Sequence, residues 1–218
     1  MELQKVIDWL NINKLSHNLK KTHFIIFRRP RGKVELSKQL KMNNVVIDMT
    51  ESTKFLGVII DQNLTFCSHI SYIKGKISRA LGILYKAKRI FNKKTLHTLY
   101  NSFIHPLFMY CVCVWANVPR LHLDPLEKLQ KRAVRVIAGA KYLAHTAPLF
   151  KELTIMNLIN IYVYNMLMIM YKYHHDSLPD IFNPFFSLNG DIHSRDTIPA
   201  IKCYFVYPDR LQLHLQNV

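Results

Sequence analysis

SHISYIKGKISRALGIL, residues 68–84, places Ile70, Ile73, Ile77, Ala80, Leu81 and Leu84 at the spacing of one helical face. Carried outward, the stripe runs from Phe66 to Phe91 through Ala87, and it predicts a long amphipathic helix. The other face carries Lys74, Lys76, Arg79, Lys86, Arg89, Lys93 and Lys94. Downstream, a second helix is expected from about Thr95 to Trp115, kinked at Pro106. A third covers Leu126–Gly139, with Pro125 at its start and Gly139 as its stop. There Lys128, Lys131, Arg132 and Arg135 form one basic stripe, while Leu126, Leu129, Ala133, Val136 and Ile137 face inward. A fourth helix spans about Ala147–Leu153 and a fifth Ile155–His174.

Upstream the periodicity is different. Leu3, Val6, Ile7 and Leu10 mark a first helix over Met1–Lys14. Thr22–Phe27 reads as a strand, stopped by Arg28-Arg29-Pro30-Arg31-Gly32. Leu40–Asp48 reads as a hairpin turning at Asn43-Asn44, since asparagine tolerates the positive φ of a tight turn. Thr53–Asp61 reads as a further strand, with Gly57 where a side chain would block backbone approach. The organisation is therefore α+β: a short mixed region, then an all-helical one.

Half of the 218 residues are hydrophobic and only six are glycine, which excludes a disordered chain. Thirty Lys and Arg against fourteen Asp and Glu leave a formal charge of +16. Such an excess points to a polyanionic partner, nucleic acid first and an anionic membrane surface second. The four cysteines show no Cys-x-x-Cys pair and no zinc-ligand spacing. Cys111 and Cys113 sit in an apolar run as buried free thiols, which suits a reducing, intracellular compartment. The start, MELQKVIDWL, has no apolar core of a signal peptide. Thr95–Pro119 and Leu153–Tyr171 lack charge and are long enough to span a bilayer. Their histidine and asparagine residues would be costly against lipid, so both are expected to be buried helices.

Several phrases, taken in order, resemble the jockey/LINE class of non-LTR reverse transcriptases. NKLSHNLKKTHFIIF (Asn13–Phe27) resembles that family's N-K-L-x-x-N-x-x-K-T segment, which covers palm motif D. KFLGVIID (Lys54–Asp61) resembles the K-(F/Y)-L-G-V strand of motif E, the primer grip, and residues 68–84 resemble the thumb helix. LYNSFIHPLFMYCVCVWAN (Leu99–Asn117) and LEKLQKRAVRVIAG (Leu126–Gly139) are similar to two segments that follow it, and HTAPLFKEL (His145–Leu153) continues in register. IHSRDT (Ile192–Thr197) is similar to a short His/Arg segment beyond. The likeness covers about Met1–Lys172.

The resemblance implies the end of a palm at 1–64, holding a helix and three or four antiparallel strands. A thumb-like helical bundle follows at 65–175, and an irregular tail at 176–218. It implies a fragment of an RNA-directed DNA polymerase that binds RNA or DNA, template and primer, through its backbone. The family's active site has an upstream aspartate and an (F/Y)-A-D-D turn that hold two magnesium ions, for which clustered carboxylates are required. Here no Asp-Asp pair exists, and Asp8, Asp48, Asp61 and Asp124 are scattered. Magnesium is thus expected only for a complete enzyme, no metal ligands are assigned, and the chain is expected to be catalytically silent alone, as a truncated copy would be.

Lys21 matches the motif D lysine, a general acid toward leaving pyrophosphate; a solvated surface lysine is the plain alternative. Phe55, Leu56 and Gly57 match motif E, where the family's hairpin supports the primer end; an ordinary buried strand is the alternative. The faces Lys74/Lys76/Arg79/Lys86/Arg89/Lys93 and Lys128/Lys131/Arg132/Arg135 would contact phosphates. Acidic partners are nearly absent between Asp61 and Asp124, which argues against a merely solvated face. Trp9 and Trp115 are expected as core anchors, and Tyr100, Tyr110, Tyr162 and Tyr164 as core residues of apolar helices. A non-enzymatic nucleic-acid-binding protein and a membrane-associated helical protein remain the other readings.

Overall fold

The architecture comes from a computed structural model that describes residues 2–16, 18, 21–29, 32, 40–42 and 45–186. It divides into two units, Met1–Leu158 and Ile159–Val218. In the first, α1 (Glu2–Ile12) precedes six short strands: β1 (His23–Phe24), β2 (Lys41–Met42), β3 (Val45–Val46), β4 (Asp48–Met49), β5 (Ser52–Phe55) and β6 (Val58–Asp61). Helices follow: α2 (Cys67–Ala87), α3 (Lys93–Phe103), α4 (His105–Met109), α5 (Val112–Trp115), α6 (Arg120–Ala138) and α7 (Ala147–Glu152). The α+β organisation read from the sequence is present.

Among the described residues the strands form three separate two-stranded ladders. β2 and β3 pair antiparallel with Met42 opposite Val45, as the hairpin reading requires; the turn residues 43 and 44 lie outside the described residues. β1 pairs with β4 in parallel, Phe24 opposite Met49, so the sheet is not purely antiparallel. The expected strand Thr53–Asp61 is two strands. Phe55 faces Val58 across a two-residue loop, with Leu56 at φ 44° and Gly57 at φ 88°. Two consecutive positive φ values are what a type I′ turn demands, and glycine supplies the second without steric cost. Ile7, Met42 and Ile47 form the core beneath the small ladders, flanked by Leu10 and Phe24. Trp9 is not part of it: the ring is 58% exposed, because it lies off the Ile7–Leu10 stripe of α1.

The helices bury the larger core. α2 packs along α6, α3 touches both, and β6 lies against α2. Ile77 and Leu84 of α2, Leu126, Ala133 and Val134 of α6, Tyr100, Ile104, Phe108 and Trp115 are fully buried. Each large apolar side chain so placed contributes roughly 1.5–3 kcal/mol. α2 ends earlier than its apolar stripe, because the Asn92 side chain accepts the Thr95 N–H at 3.0 Å and starts α3 there. The expected single helix over Thr95–Trp115 is three pieces. Pro106 brings no N–H and opens α4, and Cys111 takes φ 50°, which separates α4 from α5. That left-handed residue also exposes Cys111 instead of burying it. α6 starts five residues before Pro125 and holds that proline inside.

Among the described residues no helix is long and apolar enough to cross a membrane. In the second unit, α8 (Leu158–His174) runs on to a 3₁₀ turn at Asp180–Phe185, and the Tyr173 ring packs on Phe186 with centroids 4.7 Å apart. Tyr164, expected in the core, is 46% exposed. α8 is apolar on all sides, so its sequence carries no information about which side is covered. Residues 187–218, Ile192–Thr197 included, lie outside the described residues.

Candidate nucleic-acid interface

Between Asp61 and Asp124 the chain has nine Lys and Arg and no acid, so the surface of α2 and α3 cannot neutralise itself locally. On α2, Arg79 and Lys86 lie seven residues apart and opposite the buried Ile77–Leu81–Leu84 stripe; both are exposed. Lys76 stands one turn before Arg79. Lys74 is also exposed, but two residues from Lys76 it projects from the other side of the helix. The single basic face expected there is thus two. Lys86 and Arg89 meet beside Tyr85 and Lys88 around a surface recess of about 540 Å³, since the helix ends at Ala87 and the chain turns back there.

On α6 the spacing holds. Lys128, Lys131, Arg132 and Arg135 fall at i, i+3, i+4 and i+7, one stripe opposite Leu126, Leu129, Ala133 and Ile137. They are not equally free. Lys131 lies 3.7 Å from the Glu127 carboxylate, and Arg135 donates its Nε–H to the Ala144 carbonyl at 2.9 Å. Lys128 and Arg132 are exposed, with no carboxylate in ion-pair range among the described residues. Lys93 is ion-paired with Glu152.

The β5–β6 turn holds Phe55 and Leu56 outward, 60% and 74% exposed, instead of burying them in a strand. A Cβ on Gly57 would stand 3.3 Å from Cε1 of Tyr110, so the close approach that the glycine permits is to a ring of the same chain. The Tyr110 hydroxyl donates to the Leu56 carbonyl, and the Trp115 indole N–H donates to the Tyr110 carbonyl at 2.8 Å. Tyr110 is therefore half-exposed and tied to the turn, not a core residue. Asp61 fixes the exit of the hairpin. Partial burial works to raise its pKa, but N–H groups of Thr65, Phe66 and Asn63 and the Thr65 hydroxyl outweigh this and hold the carboxyl below its usual range.

Beneath the turn, Lys54, Gly57, His69, Tyr72 and Lys76 line a cleft of about 300 Å³. Of these, the sequence alone marks only Gly57 and Lys76 as site residues. The i,i+4 spacing of Tyr72 and Lys76 was a usable signal, whereas Lys54 reaches Tyr72 only through the fold. The Lys76 ammonium, and after it that of Lys54, pulls the Tyr72 phenol down to about 8.

Lys21 is exposed. Among the described residues no three His, Cys, Asp or Glu come together as a metal-holding group.

Part of the chain is similar to curated proteins of known name. The chain is 24% identical over 122 residues to a probable RNA-directed DNA polymerase from transposon BS of Drosophila melanogaster, covering 53% of this chain and 13% of that protein. It is 28% identical over 108 residues to the RNA-directed DNA polymerase from mobile element jockey of Drosophila funebris, covering 48% and 12%. It is 22% identical over 116 residues to a probable polymerase from the X-element transposon of Drosophila melanogaster, covering 51% and 13%. About half of the chain is thus related to jockey-like and other Drosophila non-LTR retrotransposon polymerases. The chain spans about an eighth of the length of these relatives. No family model and no solved structure matches it.

Proposed function

We propose that the chain is the backbone-gripping part of a retrotransposon-type RNA-directed DNA polymerase, catalytically silent by itself. Its relatives are RNA-directed DNA polymerases, which supports RNA, DNA or their hybrid as partner. The observation that carries the reading is the acid-free run from residue 62 to 123, with Arg79 and Lys86 exposed on α2, joined by unpaired Lys128 and Arg132 on α6. Cations so arranged have no counter-charge among the described residues and suit phosphates, which are sequence-independent contacts. In this reading α2 and α6 act as a thumb along the duplex, and the Phe55–Gly57 turn stands beside the strand end. Lys21, matched to the motif D lysine and exposed, would act as a general acid only within a complete enzyme. An intracellular location goes with such a partner.

The test is fluorescence anisotropy with an RNA–DNA hybrid across a salt series. Binding should weaken as log Kd rises linearly with log salt, with a slope of about 0.9 per phosphate contact. Affinity indifferent to salt, or primer extension by the purified chain, would overturn the reading.

A further inference from the structure

We propose that the cleft between the β5–β6 turn and α2 is a phosphate site, in which Lys54, Lys76 and the Tyr72 hydroxyl hold the oxyanion. Two ammonium groups converge there on one phenol. Lys54 Nζ donates to the Tyr72 hydroxyl at 3.1 Å and lies 4.8 Å from the ring centroid; Lys76 Nζ lies 4.7 Å from the same centroid. A single cation over a tyrosine is a favourable contact. Two cations on one ring repel each other, and no carboxylate among the described residues lies in ion-pair range of either. An anion between them removes that repulsion and gains two charge-assisted hydrogen bonds.

The rest of the lining fits the remainder of a nucleotide. Ile73 and Leu107 give apolar walls, and about 300 Å³ leaves room beyond the phosphate. His69 lies 2% exposed at the floor. Its Nδ1 accepts the Ile59 N–H at 3.2 Å, so Nε2 carries the proton, and Nε2 is buried with no partner among the described residues. Burial first, and then Lys54 and Lys76, holds the ring neutral, so it adds no charge to the two ammonium groups. A strand phosphate and a free nucleotide supply the same chemistry. The strand as source rests on the function proposed above; the phosphate site itself does not.

Tyr72 is its own reporter. The full chain is titrated in phosphate-free buffer by the ultraviolet absorbance of tyrosinate, and the Tyr72→Phe variant identifies the step near pH 8. Inorganic phosphate should move that midpoint up by about one in pH or more, because a bound anion cancels the lysine charges that lowered it. Lys54→Met/Lys76→Met should abolish both the low midpoint and the response, while Lys54→Arg/Lys76→Arg keeps the response. A midpoint indifferent to inorganic phosphate, to adenosine monophosphate and to an oligodeoxythymidine strand overturns the site, as does an equal response in the methionine variant. A shift with phosphate or the mononucleotide supports it with a free ligand; a shift with the strand alone supports it with a backbone phosphate. Should the strand bind with a steep salt dependence and leave Tyr72 unmoved, the phosphate site fails and the nucleic-acid function stands. Should inorganic phosphate move Tyr72 while no strand binds, the function fails and the site stands.

Discussion

The Gln130 carboxamide donates to the Tyr100 hydroxyl at 2.9 Å, and both side chains are buried between α3 and α6. The same nitrogen donates to the Met156 carbonyl at 2.9 Å, and Oε1 accepts the Leu158 N–H at 2.9 Å. One glutamine therefore joins α3, α6 and the Met156–Leu158 segment that closes the first unit. Burial pushes the Tyr100 phenol up to about 12, so it stays a neutral hydroxyl throughout. Gln130→Leu orphans a buried N–H and a buried hydroxyl, and we expect a loss of about 2–4 kcal/mol at constant m-value in urea unfolding. Tyr100→Phe should cost about 1 kcal/mol, and less again in the Gln130→Leu background. Additive losses would show that the two do not interact.

Gly57 gives a sharper test of the turn. At φ 88° and with Tyr110 Cε1 3.3 Å from any added Cβ, an alanine there meets both backbone strain and a ring. Gly57→Ala should cost about 1–2 kcal/mol from the left-handed backbone alone. In a Tyr110→Ala background, which lacks both the ring and its bond to Leu56, the same glycine substitution should cost the backbone part only. No cost at all in that background would mean that the backbone conformation carries none.

Asp61 sets an acid dependence. Its carboxylate accepts the Phe66 N–H at 2.7 Å and the Thr65 N–H at 3.0 Å, so it closes the turn that launches α2. Because its folded pKa is depressed, the stabilisation is complete above about pH 4 and is lost as pH falls through the lower folded value. Asp61→Asn should cost about 0.5–2 kcal/mol at pH 7, as loss of a capping carboxylate does, and should flatten the acid limb of stability against pH. An acid limb with undiminished slope would remove Asp61 as its source.

What the sequence made legible depended on the length over which a pattern could repeat. The core face of α2 and the α6 stripe were readable because Ile70–Leu84 and Leu126–Ile137 repeat over several turns. The break of Thr95–Trp115 was only half readable: Pro106 announces a kink, but the φ 50° of Cys111 has no residue signature. Thr53–Asp61 reads as one strand because hydropathy does not reverse at Leu56-Gly57, and only the paired positive φ values disclose a hairpin. The resemblance supplied the order of segments, yet not the reason for their residues. Tyr110 and Trp115 prove to be clamps on the β5–β6 turn, and Gln130 a three-bond junction. The cleft was illegible for a plainer reason: Lys54 and Tyr72 are distant in sequence and meet only when the hairpin lies on α2.

The basic residues should not act equally. Lys93 is ion-paired with Glu152, and Lys131 lies 3.7 Å from Glu127, so each already has a counter-charge. Lys128 and Arg132 lie on the same stripe without one among the described residues. For a phosphate backbone, an unpaired cation releases a counterion on binding, whereas a paired one must first leave its carboxylate. Lys128→Ala/Arg132→Ala should therefore lower the salt slope for an RNA–DNA hybrid by about two and weaken binding alike for any sequence. Lys93→Ala/Lys131→Ala should change the slope by clearly less. Equal effects from both pairs would mean that net charge alone, and not the exposed stripe on α6, sets the affinity.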